Sequence, residues 1–177
     1  MEPRNPIPLV DIVVIDESQD MTLLYFELIV KMANDMCSLD NPLVKDEPHK
    51  FQLLVLGDYM QGLYEFKGAD IRFLTKASEI WSGLPHLLSP NFQQCVLKTS
   101  YRVTNQMAKF VNCDMLGDDR LVACREGTPV VYIRRSRYQI EKIVVYQIQR
   151  LLAEGESPSD IFVLGGSVKG ANSNIRH

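Results

Sequence analysis

The run Asp11-Ile12-Val13-Val14-Ile15-Asp16-Glu17-Ser18-Gln19-Asp20 constrains the fold more than any other stretch of the chain. Four strand-favouring apolar residues stop abruptly at a cluster of acids. A short Val/Ile run of this kind is the pattern of a strand buried on both faces. In open α/β sheets ligands bind beyond the carboxyl ends of the strands, which puts Asp16 and Glu17 where such folds do chemistry. Carboxylate oxygen suits a hard cation such as Mg²⁺, and phosphoryl transfer needs a base to position water; an adjacent Asp-Glu pair supplies both. A strand ending in a solvated acidic turn would carry the same letters, because turns favour Asp and Ser.

A second strand-loop unit repeats the pattern. Phe51-Gln52-Leu53-Leu54-Val55-Leu56 breaks at Gly57-Asp58 and continues through Tyr59-Met60-Gln61-Gly62-Leu63-Tyr64-Glu65-Phe66-Lys67-Gly68. Gly57 permits a sharp exit from the sheet. Gln61 carries an amide that both donates and accepts, suited to orienting water or touching a terminal phosphate. Tyr64 and Phe66, two apart and next to Lys67, have the composition of a stacking platform for unpaired bases; rings that pin a loop to the core would read the same. A third piece, Val96-Leu97-Lys98-Thr99-Ser100-Tyr101-Arg102-Val103-Thr104, reads as a short strand leading to Tyr101-Arg102. A helix follows, with Met107, Ala108, Phe110 and Val111 at helical spacing. Arg102 offers a fixed cation and a fork of donors for phosphate.

In order, D-E-S-Q-D, G-D-Y-M-Q-G-L-Y-E-F-K-G-A and S-Y-R-V-T resemble motifs II, III and IV of superfamily 1 helicases of the UvrD/Rep/PcrA type. The resemblance is strongest over residues 11–112, and Asp160 to Gly165 resembles the strand after motif IV, with Asn174-Ile175-Arg176 opening a helical sequel. It implies an α/β fold, the P-loop NTPase (RecA-like) parallel sheet, with parts of two motor lobes: residues 1–95 from the first and 96–177 from the second. It implies ATP and Mg²⁺ as cofactors, with Asp16 holding the metal, Glu17 as the base on water and Gln61 reading the γ-phosphate. Tyr101 would stack on adenine and Arg102 would act as an arginine finger, a device worth about 10³–10⁵ in rate. Tyr64, Phe66 and Lys67 would contact single-stranded or partly duplex DNA, with movement 3′ to 5′. Gln19 and Asp20 complete motif II as orienting residues. Lys67 stands where the family usually has Arg, Phe66 where it often has Trp, and Ser100 where Asn is common.

The chain contains no G-x-x-x-x-G-K-[ST], and ten residues precede Asp11. The family's motifs V and VI are also missing, and the glycines at 165, 166 and 170 with Lys169 lack P-loop spacing. The expectation is an internal fragment of a larger motor that does not hydrolyse ATP alone. Measurable DNA-stimulated ATPase from the chain, lost in Glu17→Gln, would overturn it. The competing reading is a non-catalytic remnant acting as a binding or interaction module; a nucleotide-binding regulator without nucleic-acid partners is a third, and an RNA helicase is less favoured by the motifs.

With 46% apolar residues the chain can build a core, and its net charge of −3 argues against a generic basic nucleic-acid binder. Basic residues gather locally at Lys67, Arg72 and Lys76, at Lys98, Arg102 and Lys109, and at Arg134, Arg135 and Arg137, the last group reading as a solvated strand edge. Cys37, Cys95, Cys113 and Cys124 have neither zinc nor disulfide spacing. No segment has the length of a membrane span and no signal peptide is evident, so the expected compartment is intracellular, cytoplasmic or nuclear.

Along the chain, Thr22 is the expected N-cap of a helix with Tyr25, Ile29, Met32 and Met36 inward. Residues 39–50 and 83–91 read as loops. Asp70 to Trp81 reads as a helix with Ile71, Leu74, Ala77 and Ile80 or Trp81 inward. Residues 115–128 read as irregular, and Val130 to Ile133 as a strand. Tyr138 to Glu154 reads as an amphipathic helix with Ile140, Val144, Ile148, Leu151 and Leu152 inward, stopped by Gly155, before a strand at Ile161 to Leu164.

Overall fold

The computed structural model describes residues 6–136 and 139–165. The expected features at Arg137, Tyr138, Gly166, Lys169, Gly170 and 174–176 lie outside them. The chain is mixed α/β with small parallel sheets, and contacts divide it into two compact units at Val96–Leu97.

In the first unit, β1 (Ile12–Ile15) pairs in parallel with β2 (Gln52–Val55), Ile12 opposite Gln52 and Ile15 opposite Val55. This register ends the two strands side by side, so the residues after each leave the sheet together. The ladder continues past the strand ends through Leu56 N–H to Ile15 O at 2.8 Å and Ser18 N–H to Leu56 O at 2.9 Å. Phe51 extends the sheet by a parallel bridge to Leu87. The crossover is α1 (Leu23–Cys37), whose N-cap is Thr22, its hydroxyl accepting from Tyr25 N–H as expected.

The core gathers Ile15, Met21, Ala33, Met36, Phe51, Phe73, Trp81 and Leu84, with Val13, Leu53 and Val55 packed against it from the sheet. Among the described residues only one face of the β1–β2 pair is covered: Ile12, Val14, Leu54 and Leu56 are exposed. This corrects the expectation of a strand buried on both faces. The inward stripe of α1 also differs. Phe26, Ile29, Val30, Ala33 and Met36 face the core, while Tyr25 and Met32 are exposed. Apolar residues ring most of this helix, so spacing alone does not select the stripe; the contact of Phe26 with Phe73 and Trp81, ring centroids 5.3 and 5.0 Å away, does.

Residues 70–81 form two short helices, α2 (Arg72–Thr75) and α3 (Ala77–Trp81), rather than one. The indole N–H of Trp81 donates to Phe73 O at 2.8 Å, taking the carbonyl that an unbroken helix would offer to Ala77. Phe73 and Trp81 are buried, while Ile71 and Leu74 lie under the loop at Gly62 and Gly57.

In the second unit, β3 (Thr99–Ser100) pairs in parallel with β4 (Val122–Ala123). Between them, α4 (Asn105–Lys109), capped by the Thr104 hydroxyl, runs into a π-helical stretch, Phe110–Leu116, that ends at Gly117 with φ 67°. The Asn112 side chain fastens the return, donating to Leu121 O and accepting from the N–H groups of Arg120 and Leu121. The segment expected to be irregular therefore holds half of the small sheet. Conversely, residues 130–133 and 161–164 are not in strands. Strand propensity reports fit to a pleated neighbour, and among the described residues these runs have none.

The last helix, α5 (Ile140–Ala153), keeps Val144, Ile148 and Leu151 half-buried but leaves Ile140 and Leu152 exposed. Gly155 terminates it as expected, with φ 96°: Glu156 N–H reaches Leu151 O and Gly155 N–H reaches Leu152 O, the Schellman pattern.

Candidate functional site

The two strand tips of the first unit carry Asp16 and Glu17 on one side and Asp58 and Gln61 on the other. Asp16 and Glu17 are both exposed. One Asp16 carboxylate oxygen accepts the Glu17 N–H at 2.9 Å. Glu17 itself has φ 50° and ψ 41°, the left-handed region that costs a non-glycine residue about 1–3 kcal/mol. A turn of 3₁₀ helix, Ser18–Asp20, then folds under the tip and buries Ser18 and Gln19.

Gln19 joins the two tips. Its Nε2 donates to Glu17 Oε2 at 2.6 Å and its Oε1 accepts Asp58 N–H at 3.0 Å. Asp58 caps the next 3₁₀ turn, Tyr59–Gln61, with Oδ1 accepting Met60 N–H at 3.0 Å; its Oδ2 accepts from Gln61 Nε2 at 3.0 Å. The carboxylates and the Gln61 amide are thus members of one hydrogen-bonded chain. Gly57 shows no positive φ; what it supplies is clearance, since a Cβ there would stand 2.5 Å from Gln19 Oε1 and 3.2 Å from Ser18 N. That replaces the expected role in a sharp exit.

Among the described residues no group of three or more His, Cys, Asp or Glu side chains is placed to hold a metal alone. Mg²⁺ is commonly held by one or two carboxylates with phosphate oxygens and water, so an exposed Asp16 carboxylate fits that donor set. A shallow concavity of this unit runs along α1 beside Phe26, Val30 and Asn34 and includes neither Asp16 nor Gln61. The acids stand on open surface. Nearby, Asp20 Oδ1 is buried and meets no hydrogen-bond donor among the described residues.

The loop beyond Gln61 returns to the same strand-tip region. A 3₁₀ turn, Glu65–Lys67, closes at Gly68 with φ 87°, and Ala69 bridges Thr22. Asp70 N–H donates to Met21 O at 2.7 Å, so both ends of the loop are fastened to the segment that carries Asp16 and Glu17. Phe66 is 78% exposed and Tyr64 is exposed as well, so the rings do not pin the loop to the core. Their centroids are 6.2 Å apart, and Lys67 Nζ lies 5.0 Å from the Tyr64 centroid and 5.6 Å from that of Phe66. Such a cation-ring group offers both stacking area and positive charge to an unpaired strand. The neighbouring cations are differently engaged. Arg72 grips the Asp70 carboxylate, its side-chain bonds holding Asp70 below the usual carboxylate range, and Lys76 lies 3.6 Å from Glu79.

Tyr101 and Arg102 belong to the second unit and are exposed, Tyr101 by 81%. The Ser100 hydroxyl accepts from the N–H groups of Arg102 and Val103, so the small residue at this position shapes the loop. The Arg125 guanidinium donates to Arg102 O, and Asn105 N–H to Arg125 O. Beside it, Glu126 accepts from Asn105 Nδ2 and Gln106 Nε2, each at 2.6 Å, and these two bonds hold its carboxyl below the usual range. Gly127 passes so close to Thr104 that a Cβ would clash with its methyl group.

Sequence reasoning marks Gln19 only as an orienting residue and Ser100 only as a departure from the family's common Asn, and it does not single out Asp58 or Arg125. The letters G-D after a strand were a signal for Asp58 as a cap; Arg125 had none, since its partner is a backbone carbonyl 23 residues away.

Residues 9–81 match the family model of the UvrD/REP helicase N-terminal domain. The match includes both strand tips and the aromatic loop and supports the UvrD-type helicase family. No curated protein matches the chain. Among the described residues no helix is long and apolar enough to cross a membrane.

Proposed function

We propose that the chain is part of an ATP-dependent DNA helicase or translocase, with the P-loop NTPase (RecA-like) architecture in both units. The observation that carries this reading is the hydrogen-bonded group at the two strand tips, Asp16-Glu17-Gln19-Asp58-Gln61, beside a solvent-facing Tyr64-Phe66-Lys67 cluster. Asp16 is assigned to Mg²⁺, which when bound offsets phosphate charge. Glu17 is assigned as the base toward water, held by its bond to Gln19. Gln61 is assigned to the terminal phosphate. Tyr101 offers a ring to the base and Arg102 a guanidinium to phosphate, where such a group stabilises charge that develops during transfer. The exposed apolar sheet face at Ile12, Val14, Leu54 and Leu56 supports reading the chain as part of a larger fold that covers it.

DNA contact is tested by fluorescence anisotropy of a labelled single-stranded oligonucleotide with the chain. Phe66→Ala is expected to weaken binding by about 1–3 kcal/mol, the worth of one stacked base. Because phosphate contact releases counterions, affinity is also expected to fall with salt. Unchanged affinity in Phe66→Ala would favour a regulator or interaction module without nucleic acid.

A further inference from the structure

We infer that the outward face of α1 is a docking surface for a second copy of this chain, the two helices packing antiparallel about a two-fold axis near Ile29. This goes beyond the nucleotide and DNA roles proposed above and requires neither.

A helix that crosses over between two parallel strands lays one face on the sheet, and its opposite face ordinarily meets water and is polar. In α1 that opposite face is apolar. Leu24, Leu28 and Met32 are spaced by four along a helix of 15 residues and are 72%, 59% and 37% exposed, with Tyr25 exposed beside them. Single exposed apolar side chains are ordinary, but a row of them along one helix is the pattern of an interface. Completing the sheet does not account for the row. Val13, Ile15, Leu53 and Val55 carry the side of the sheet that packs on the core, so the face left open at Ile12, Val14, Leu54 and Leu56 is the one opposite α1. Elements added there cover the far side of the sheet and leave the row on α1 outside.

Charge selects the occupant. Glu27, Lys31 and Asp35 follow one edge of the row and alternate in sign every four residues. Lys31 Nζ lies 2.7 Å from Asp35, whereas Glu27 has no ion-pair partner among the described residues. A two-fold axis near Ile29 sets Glu27 of each helix against Lys31 of the other. It also brings the Leu24–Tyr25 end of one helix to the Met32 end of its copy, with Leu28 close to the axis. The row and its charges therefore complement themselves, as an isologous contact requires. A parallel pair in register would bring each charge against its like, and a partner helix of uniform charge would meet like charge at one of these positions.

A single helix pair is small for a specific interface, so the expected dissociation constant is on the order of 10–100 μM. Sedimentation velocity of the chain across that range measures it. Leu28→Glu is expected to weaken association at least about tenfold, because it sets like charges against each other at the axis. Glu27→Lys and Lys31→Glu are each expected to weaken it about fivefold, each change being felt at two symmetry-related contacts. The double reversal restores opposite charges across the axis and is expected to return association to within about twofold of the parent. Positions 27, 28 and 31 are exposed, and emission from the buried Trp81 checks that each variant is folded. Leu54→Lys, on the open sheet face, is expected to leave association unchanged. A chain that stays monomeric to about 500 μM overturns the inference. So does association that survives Leu28→Glu or is abolished by Leu54→Lys, or a double reversal that associates no better than the single ones.

Discussion

Glu17 occupies the left-handed region while keeping a side chain that the region penalises. Nothing in its letter announces this, since Glu is not a residue that prefers positive φ. The surrounding bonds enforce it: Ser18 N–H is held by Leu56 O, and the Glu17 carboxylate by Gln19. Gly57 shows the same limit of sequence reading. Its presence after a strand was legible, but its reason was not, because the atom it makes room for belongs to Gln19, 38 residues earlier in the chain. Gly57→Ala is expected to destabilise the first unit by about 1–3 kcal/mol, the usual cost of overpacking. Trp81, the single tryptophan and fully buried, reports that unfolding by fluorescence in urea. An unchanged midpoint would show that the Gln19 carboxamide moves aside freely. By contrast, Thr22 and Gly155 were legible as caps because a cap is decided within one helical turn.

Elements show where tertiary contact overrides pattern. Spacing gave α1 an inward face at Tyr25, Ile29, Met32 and Met36, but the packed face includes Phe26, Val30 and Ala33. Phe26→Ala is therefore expected to cost about 3 kcal/mol, through loss of its contacts with Phe73 and Trp81, whereas Tyr25→Ala stays within about 0.5 kcal/mol. Equal effects, read again through Trp81, would contradict the assigned stripe. In the second unit, the start of α4 is clipped to residue 126 by two amide bonds to a carboxylate. The folded Glu126 carboxyl is held below its ordinary value of 4.5, so its contribution is present above that value and is lost as pH falls through the folded one. The side-chain amide resonances of Asn105 and Gln106 are expected to hold steady from neutral pH to about 4.5 and to move below it. Movement centred above that pH would mean that the carboxylate is not what holds them. The strands expected at 130–133 and 161–164 failed for want of a neighbour, which no local pattern supplies.

At the scale of the molecule, the two units differ in how they are built. The first has a connected core around Phe51, Phe73 and Trp81. In the second, only Thr104 and Ala108 are buried among the described residues. Hydrogen exchange is therefore expected to be slower in α1 than in α5 by about tenfold or more, and equal protection would contradict this contrast. The central claim concerns the first unit: that its strand tips receive a metal-bound nucleotide. The most direct measurement is paramagnetic broadening by Mn²⁺, standing in for Mg²⁺, in the presence of ATP. The account predicts selective broadening of the amide resonances of Asp16, Glu17 and Gln61, abolished in Asp16→Asn. Broadening spread over the acidic surface, or unaffected by Asp16→Asn, would contradict it.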